Sequence, residues 1–186
     1  MDKKALLFPS ASARRRRVTI KSAIFVDPGI MGTGWAFFQE LTTLGDSVDV
    51  PYATGVVRAA KKGARWDARA GDICSTMSGV FRALEVRVIV IEFPELWATG
   101  KSYTSAAGRR RGPGDLFKLT FLIGGLGQVA RQQTGTKPVL VMPREWKGQL
   151  PKKVVIGRIA KRIPGLNPED HEADAIGMGL AAQGLL

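Results

Sequence analysis

The sequence predicts an α/β fold, a five-stranded mixed sheet flanked by helices, and three observations carry that prediction. Two short runs, Ser22–Asp27 and Val86–Glu92, are apolar and β-branched almost throughout, as buried strands are, and each ends at an acid. A glycine-rich turn follows the first run and leads into more strand-like residues, the pattern of a hairpin. Beyond residue 65, stretches of helical apolar spacing alternate with short strands, which places parallel strands in a sheet with helices on its faces.

Taken in order, residues 1–20 read as a flexible basic arm carrying Lys3, Lys4 and Arg14–Arg17, either a solvated tail or a nucleic-acid contact. Its apolar stretch, Ala5–Phe8, is too short for the core of a secretory signal. Residues 21–186 then form a single domain, in keeping with a chain of 186 residues. After the strand Ser22–Asp27, the turn Pro28–Gly34 returns the chain into a strand over Trp35–Glu40. Leu41–Tyr52 reads as loop and Ala53–Ala59 as the third strand. Trp66, Ile73, Met77, Val80, Phe81 and Leu84 recur at helical spacing, so Arg65–Leu84 is a helix. The strand Val86–Glu92 precedes a long loop, Phe93–Gly114, and loops of that length in a compact domain are usually functional or disordered. Asp115 suits the N-cap of a helix running to Gln133. Pro138–Met142 is the fifth strand and Pro143–Lys147 a turn or short helix. A basic amphipathic helix spans Pro151–Ile163, and a last helix covers Glu169–Gln183.

Composition narrows the function classes. With 28 Lys and Arg against 16 Asp and Glu, the net charge is +12, which points to a polyanionic partner. One Cys and one His exclude an internal disulfide framework and a Cys/His zinc site, and Cys74 fits a reduced thiol in a cytoplasmic protein. The absence of a bilayer-length apolar run argues against membrane insertion. The charge is unevenly spread: residues 93–165 hold 14 basic and 3 acidic residues, a net +11, whereas residues 166–186 hold four acids and no Lys or Arg. Contact with phosphates explains the basic part. The acidic part opposes that partner unless it holds a metal ion.

Asp27 and Glu92 each end a buried strand, and ligand sites in open α/β sheets favour that end. Taken alone, Asp27 also fits a turn former before Pro-Gly, and Glu92 a solvated strand end. His171 and Asp174 stand three apart and so share a face of the last helix. Acids at a helix start suit its dipole, which accounts for Glu169, Asp170 and Glu172 but not for that shared face. Three carboxylates and an imidazole meeting at one point repel unless divalent ions neutralise them, which is the arrangement of a two-metal phosphodiesterase.

Four motifs in order, Ile24-Phe25-Val26-Asp27-Pro28-Gly29 with Thr33-Gly34-Trp35, Val90-Ile91-Glu92, Pro143-Arg144-Glu145-Trp146-Lys147 and His171-Glu172-Ala173-Asp174-Ala175, resemble RuvC-type Holliday junction resolvases over about residues 22 to 183. The resemblance implies an RNase H-like fold and a homodimer that nicks four-way DNA junctions symmetrically with two Mg²⁺ or Mn²⁺ ions per site. It implies Asp27, Glu92, His171 and Asp174 as metal ligands, and Lys147 at the scissile phosphate. Either Lys152 or Lys153 falls near a second such lysine. The imidazole of His171 suits Mn²⁺ better than Mg²⁺. Arg109, Arg110, Arg111, Lys118, Lys147, Lys152 and Lys153 are the expected DNA contacts.

One departure from the family is the longer segment after Glu92, where Trp97 or Tyr103 is the candidate for stacking on an unpaired base. Strict selectivity for four-way junctions is therefore an open expectation, and other branched DNA is an alternative substrate. Small size, a basic arm and this divergence are compatible with a phage origin, which would put the protein in the bacterial or infected-host cytoplasm. Another phosphodiesterase of the same superfamily, such as a transposase or RNase H itself, is one alternative, although a cellular RNase H would contribute its carboxylates in a different arrangement. Two further readings stand beside it. The Asp27–Gly34 turn also suits an actin-like or sugar-kinase phosphate hairpin, though such proteins need two domains around the nucleotide. A non-catalytic binder of branched DNA is the other, though carboxylates near phosphate would bring it nothing.

Overall fold

The computed structural model describes residues 3–8, 17–43, 48–59, 63–94, 113–186 and, by their backbone, 103–104 and 110–111. Its centre is a five-stranded sheet of order β3-β2-β1-β4-β7. The strands are β1 (Thr19–Asp27), β2 (Thr33–Thr42), β3 (Ala53–Val57), β4 (Val88–Glu92) and β7 (Val139–Val141). The meander β1–β2–β3 is antiparallel, with Val26 opposite Trp35 and Trp35 opposite Gly55. β4 and β7 add in parallel, with Val26 beside Ile91 and Ile91 beside Leu140. The predicted mixed sheet of five strands is therefore the observed one.

Successive side chains of a strand point to opposite faces, and β1 uses both. Ile24 and Val26 pack under α2 (Trp66–Ala83) and α3 (Pro113–Thr134), with Ile73, Met77, Phe81, Leu122 and Leu126. Ala23 and Phe25 lie on the face covered by α6 (Asp170–Ala182) and share one core with Ala175 and Met178 of that helix and with Val155 and Ile159 of α5 (Lys152–Arg162). The rings of Phe25 and Phe38 meet edge-on at 5.5 Å on that face. A strand buried on both sides has no polar alternation to show, which is why residues 22–27 read as one apolar run.

Three expectations need correction. The segment expected to be a flexible arm contains a short helix, α1 (Lys3–Leu7), whose Leu7 is fully buried in the core, and β1 begins at Thr19. Burying one leucine and pairing Lys4 with Glu145 at 2.9 Å docks α1 beside β7 and α4 (Pro143–Trp146). Arg14–Arg16 lie outside the described residues. The expected loop Phe93–Gly114 contains a two-stranded ribbon, β5 (Tyr103–Thr104) paired with β6 (Arg110–Arg111). Asp115 sits in the first turn of α3, not at its N-cap, because the helix already starts at Pro113. Among the described residues, no helix is long and apolar enough to cross a membrane.

Candidate active site

Asp27 and Glu92 are the last residues of two neighbouring parallel strands, so they leave the sheet side by side. The turn after Asp27 is tied by Thr33, whose buried hydroxyl accepts the Gly29 N–H at 3.3 Å and donates to the Gly29 carbonyl at 3.2 Å. The amino end of α6 lies on this turn. A Cβ at Gly34 would strike the backbone of His171 and Glu172, and one at Gly29 would stand 2.7 Å from His171 Nε2. Only glycine lets the helix come this close. The helix start itself is closed by Glu172, which accepts the Glu169 N–H at 3.0 Å, and by an ion pair from Arg58 to Glu169.

These approaches bring His171 and Asp174 to the carboxyl end of β1. His171 Nδ1 meets Asp27 Oδ2 at 2.7 Å. Asp174 Oδ2 faces two ammonium groups, Lys152 Nζ at 2.6 Å and Lys147 Nζ at 3.6 Å. Lys152 also binds Asp170, through its Oδ1 at 3.0 Å and through its carbonyl, so the three N–H donors of one ammonium are all engaged. Glu92 Oε2 accepts the indole N–H of Trp146 at 2.7 Å, and Lys147 Nζ stands 4.6 Å from the centre of that ring.

The charges strain one another. Burial raises the Asp27 carboxyl above its usual range, although His171 opposes that shift. Burial and the negative charges of Asp27 and Asp174 push Glu92 up to about 8. The hydrogen bond to Asp27 raises His171. For Lys152 burial acts downward, but Asp174 and Asp170 outweigh it and hold the ammonium above its ordinary value. The site thus has more carboxylate than its own cations satisfy.

Asp27, Glu92, His171, Asp174, Lys147 and Lys152 stand at one end of the sheet, and Lys153 is exposed on the outer side of α5. Lys118 lies at the start of α3, paired with Asp115 at 3.1 Å. Tyr103, Arg110 and Arg111 belong to the ribbon, with Tyr103 opposite Arg111, while Trp97 and Arg109 lie outside the described residues. As they stand, the four expected ligands do not form a metal cluster: among the described residues no group of three or more His, Cys, Asp or Glu side chains is placed to hold an ion. The reason is visible in the bonds, since Asp27 is turned to His171, Glu92 to Trp146 and Asp174 to Lys152. A divalent cation nevertheless fits the donors. Among the described residues, Asp174 Oδ1 is buried without a hydrogen-bond partner, and an orphan acceptor beside two acids of raised pKa is a place where positive charge is missing.

Trp146 and Asp170 are the site residues that sequence reasoning missed. In the structure Trp146 is 6% exposed and its N–H finds its acceptor in Glu92, 54 residues away, a pairing that the sequence around either residue does not announce. Asp170 carries no signal in the sequence either, since the helix dipole alone accounts for an acid at a helix start.

No protein-family model and no curated protein matches this sequence. Solved structures do match its fold. The chain is similar to RuvC of T. thermophilus in complex with a Holliday junction substrate, with a TM-score of 0.62 and 16% identity, over 86% of this chain and 91% of that one. It is likewise similar to a second Thermus thermophilus RuvC structure, with a TM-score of 0.58 and 16% identity, over 86% of this chain and 92% of that one. The chain therefore has the RNase H-like fold of RuvC.

Proposed function

We infer that this protein is a metal-dependent endonuclease that resolves four-way DNA junctions by symmetrical paired nicks. The observation that carries the reading is the cluster at the carboxyl ends of β1 and β4: Asp27, Glu92 and Asp174 with His171, an orphan carboxylate oxygen, and two lysines at the rim. That the RuvC of like fold was captured with a Holliday junction supports four-way DNA as the substrate. In this reading Asp27, Glu92, Asp174 and His171 would hold the Mg²⁺ or Mn²⁺ ions. When bound, such ions lower the pKa of water and stabilise charge on a transferring phosphoryl group.

The chain's own groups do the rest. Asp27 fixes the His171 ring through Nδ1, and the notch at Gly29 sets the depth at which that ring lies. Lys147 and Lys152 are point charges next to Asp174, placed to stabilise negative charge as it develops on a phosphate there. Exposed Lys153, Arg158, Lys161 and Arg162 on α5 provide backbone contacts beside the site. Two copies are needed for paired nicks. The exposed face of α3, with Phe117 63% and Phe121 52% exposed, supports a homodimer formed through that helix.

The test is cleavage of a labelled four-way junction in Mg²⁺ and in Mn²⁺, with a linear duplex as control. The unmutated protein should nick the junction and spare the duplex, and Asp27→Asn or Asp174→Asn should each lower the rate by about 10² or more. Tight binding without cleavage in either metal would make the protein a branched-DNA binder instead. Equal cutting of the duplex would make it a general nuclease.

A further inference from the structure

The indole of Trp146 touches three parts of the site at once. Its N–H donates to Glu92 Oε2 at 2.7 Å, and Lys147 Nζ stands 4.6 Å from its ring centre. Its six-membered ring fills the notch left by Gly177 on α6, where a Cβ would lie 2.8 Å from Cζ3. Once Glu92 is ionised, as binding a cation requires, its hydrogen bond from the neutral indole N–H is stronger than a neutral pair, and the stiff ring has little freedom to spoil the geometry. With Oε2 taken, Oε1 is the oxygen of Glu92 left to meet a cation.

The platform beneath the indole is also braced. Trp146 ends α4, a helix of four residues that could not hold a position alone. Glu145 Oε2 accepts the Met142 N–H at 2.7 Å and pairs with Lys4 Nζ at 2.9 Å, so α4 is tied both to its own start and to α1.

We propose that Trp146 is a positioning residue: its N–H aims the Glu92 carboxylate while its face steadies the Lys147 ammonium, so that acid and cation keep one separation across the site. This rests on the metal-dependent reading above. The competing role is that of a core tryptophan which merely fills the Gly177 notch.

Trp146→Phe separates the two roles, because phenylalanine keeps a ring face and most of the volume but has no N–H. Groups that orient metal ligands typically change metal affinity by 10- to 100-fold when removed. Calorimetric titration with Mn²⁺, without DNA, should therefore show affinity about tenfold or more weaker in Trp146→Phe. In a Glu92→Gln background the same substitution should add little, since the coupled partner is already changed. Unchanged Mn²⁺ affinity in Trp146→Phe would overturn the proposal, and so would an equal loss in both backgrounds. A second measurement needs no tryptophan variant. The Trp146 indole N–H resonance should shift on Mg²⁺ titration with the midpoint of binding and stay still in Glu92→Gln. A resonance indifferent to Mg²⁺ in the unmutated protein would overturn the role even if Trp146→Phe does not fold. Failure of the underlying reading looks different: the unmutated protein then binds neither ion.

Discussion

Glu92 holds its proton up to about pH 8 because burial and the charges of Asp27 and Asp174 disfavour its ionised form. An unfolded glutamate loses its proton near 4.5, so between 4.5 and 8 the folded chain binds more protons than the unfolded one. Stability of the metal-free protein therefore falls as pH rises through that window. Asp27 and His171 are also raised and act with the same sign. A divalent ion needs the deprotonated carboxylate, so its stabilising effect must grow with pH. The rise in melting temperature on adding Mn²⁺ should be larger at pH 8.5 than at pH 6, and Glu92→Gln should flatten the difference; a shift independent of pH would remove Glu92 from the ligand set. Lys152 gives a second test. Its ammonium occupies Asp174 and Asp170 together, where a divalent ion would compete with it. Lys152→Met leaves Asp174 short of its nearest cation, which should destabilise the metal-free protein by about 3 kcal/mol. Added Mn²⁺ should then restore more stability to the variant than it adds to the unmutated protein. A smaller gain in the variant would mean that Lys152 assists the ion.

The approach of α6 to the β1–β2 turn is what turns a sheet edge into a site. Gly34→Ala places a methyl group against helix backbone, which cannot swing aside as a side chain can, so it should cost about 3 kcal/mol in urea unfolding. Junction cleavage should fall with it, because His171 and Asp174 move with the helix. Leu7→Ala should cost a similar amount, about 3 kcal/mol, if α1 is the docked element its burial describes, and an effect below 0.5 kcal/mol would return residues 3–8 to the status of a free tail. The two elements differed in how far the sequence announced them. The sheet was legible because Ser22–Asp27 and Val86–Glu92 are apolar on both faces and end at acids, and α6 because His171 and Asp174 share a helical face. Five residues with a single buried leucine show no period, so α1 passed for tail. Strands of two residues leave no alternation either, which hid the ribbon. The contact from Trp146 to Glu92 joins residues 54 apart, and nothing local in either segment announces it.

At the scale of the whole molecule, the +11 of residues 93–165 and the four acids of residues 166–186 meet where α5 packs on α6. The exposed basic side of α5 thereby borders the acidic site, and under the proposed function it would guide a phosphate backbone toward the carboxylates. Paired nicking needs two such borders facing opposite strands, and α3 offers the surface that would fix them. Phe117, Phe121, Gly124, Gln128 and Arg131 fall at steps of four and three, on one face, and all are exposed. Trp66 supports both phenylalanines edge-on, at 5.9 and 5.3 Å. Two copies of α3 crossing antiparallel at Gly124 would set Phe117 of each near Arg131 of the other, a cation–π pair repeated by the two-fold axis. Among the described residues, a Cβ at Gly124 would meet nothing within 4 Å, so none of their packing uses that glycine. Gly125 is different, since a Cβ there would press on Cys74 Sγ at 2.8 Å. Phe121→Glu places a charge in the middle of the stripe and leaves the site untouched. If the proposed homodimer forms through α3, the unmutated chain should sediment as a dimer and this variant as a monomer. On a supercoiled plasmid with an extruded cruciform, a dimer cuts both strands before it leaves and yields linear DNA. The monomeric variant should yield nicked circles, because each cut is then a separate encounter. A variant that remains dimeric would remove α3 as the interface, and linear product from a monomer would remove dimerisation from the mechanism.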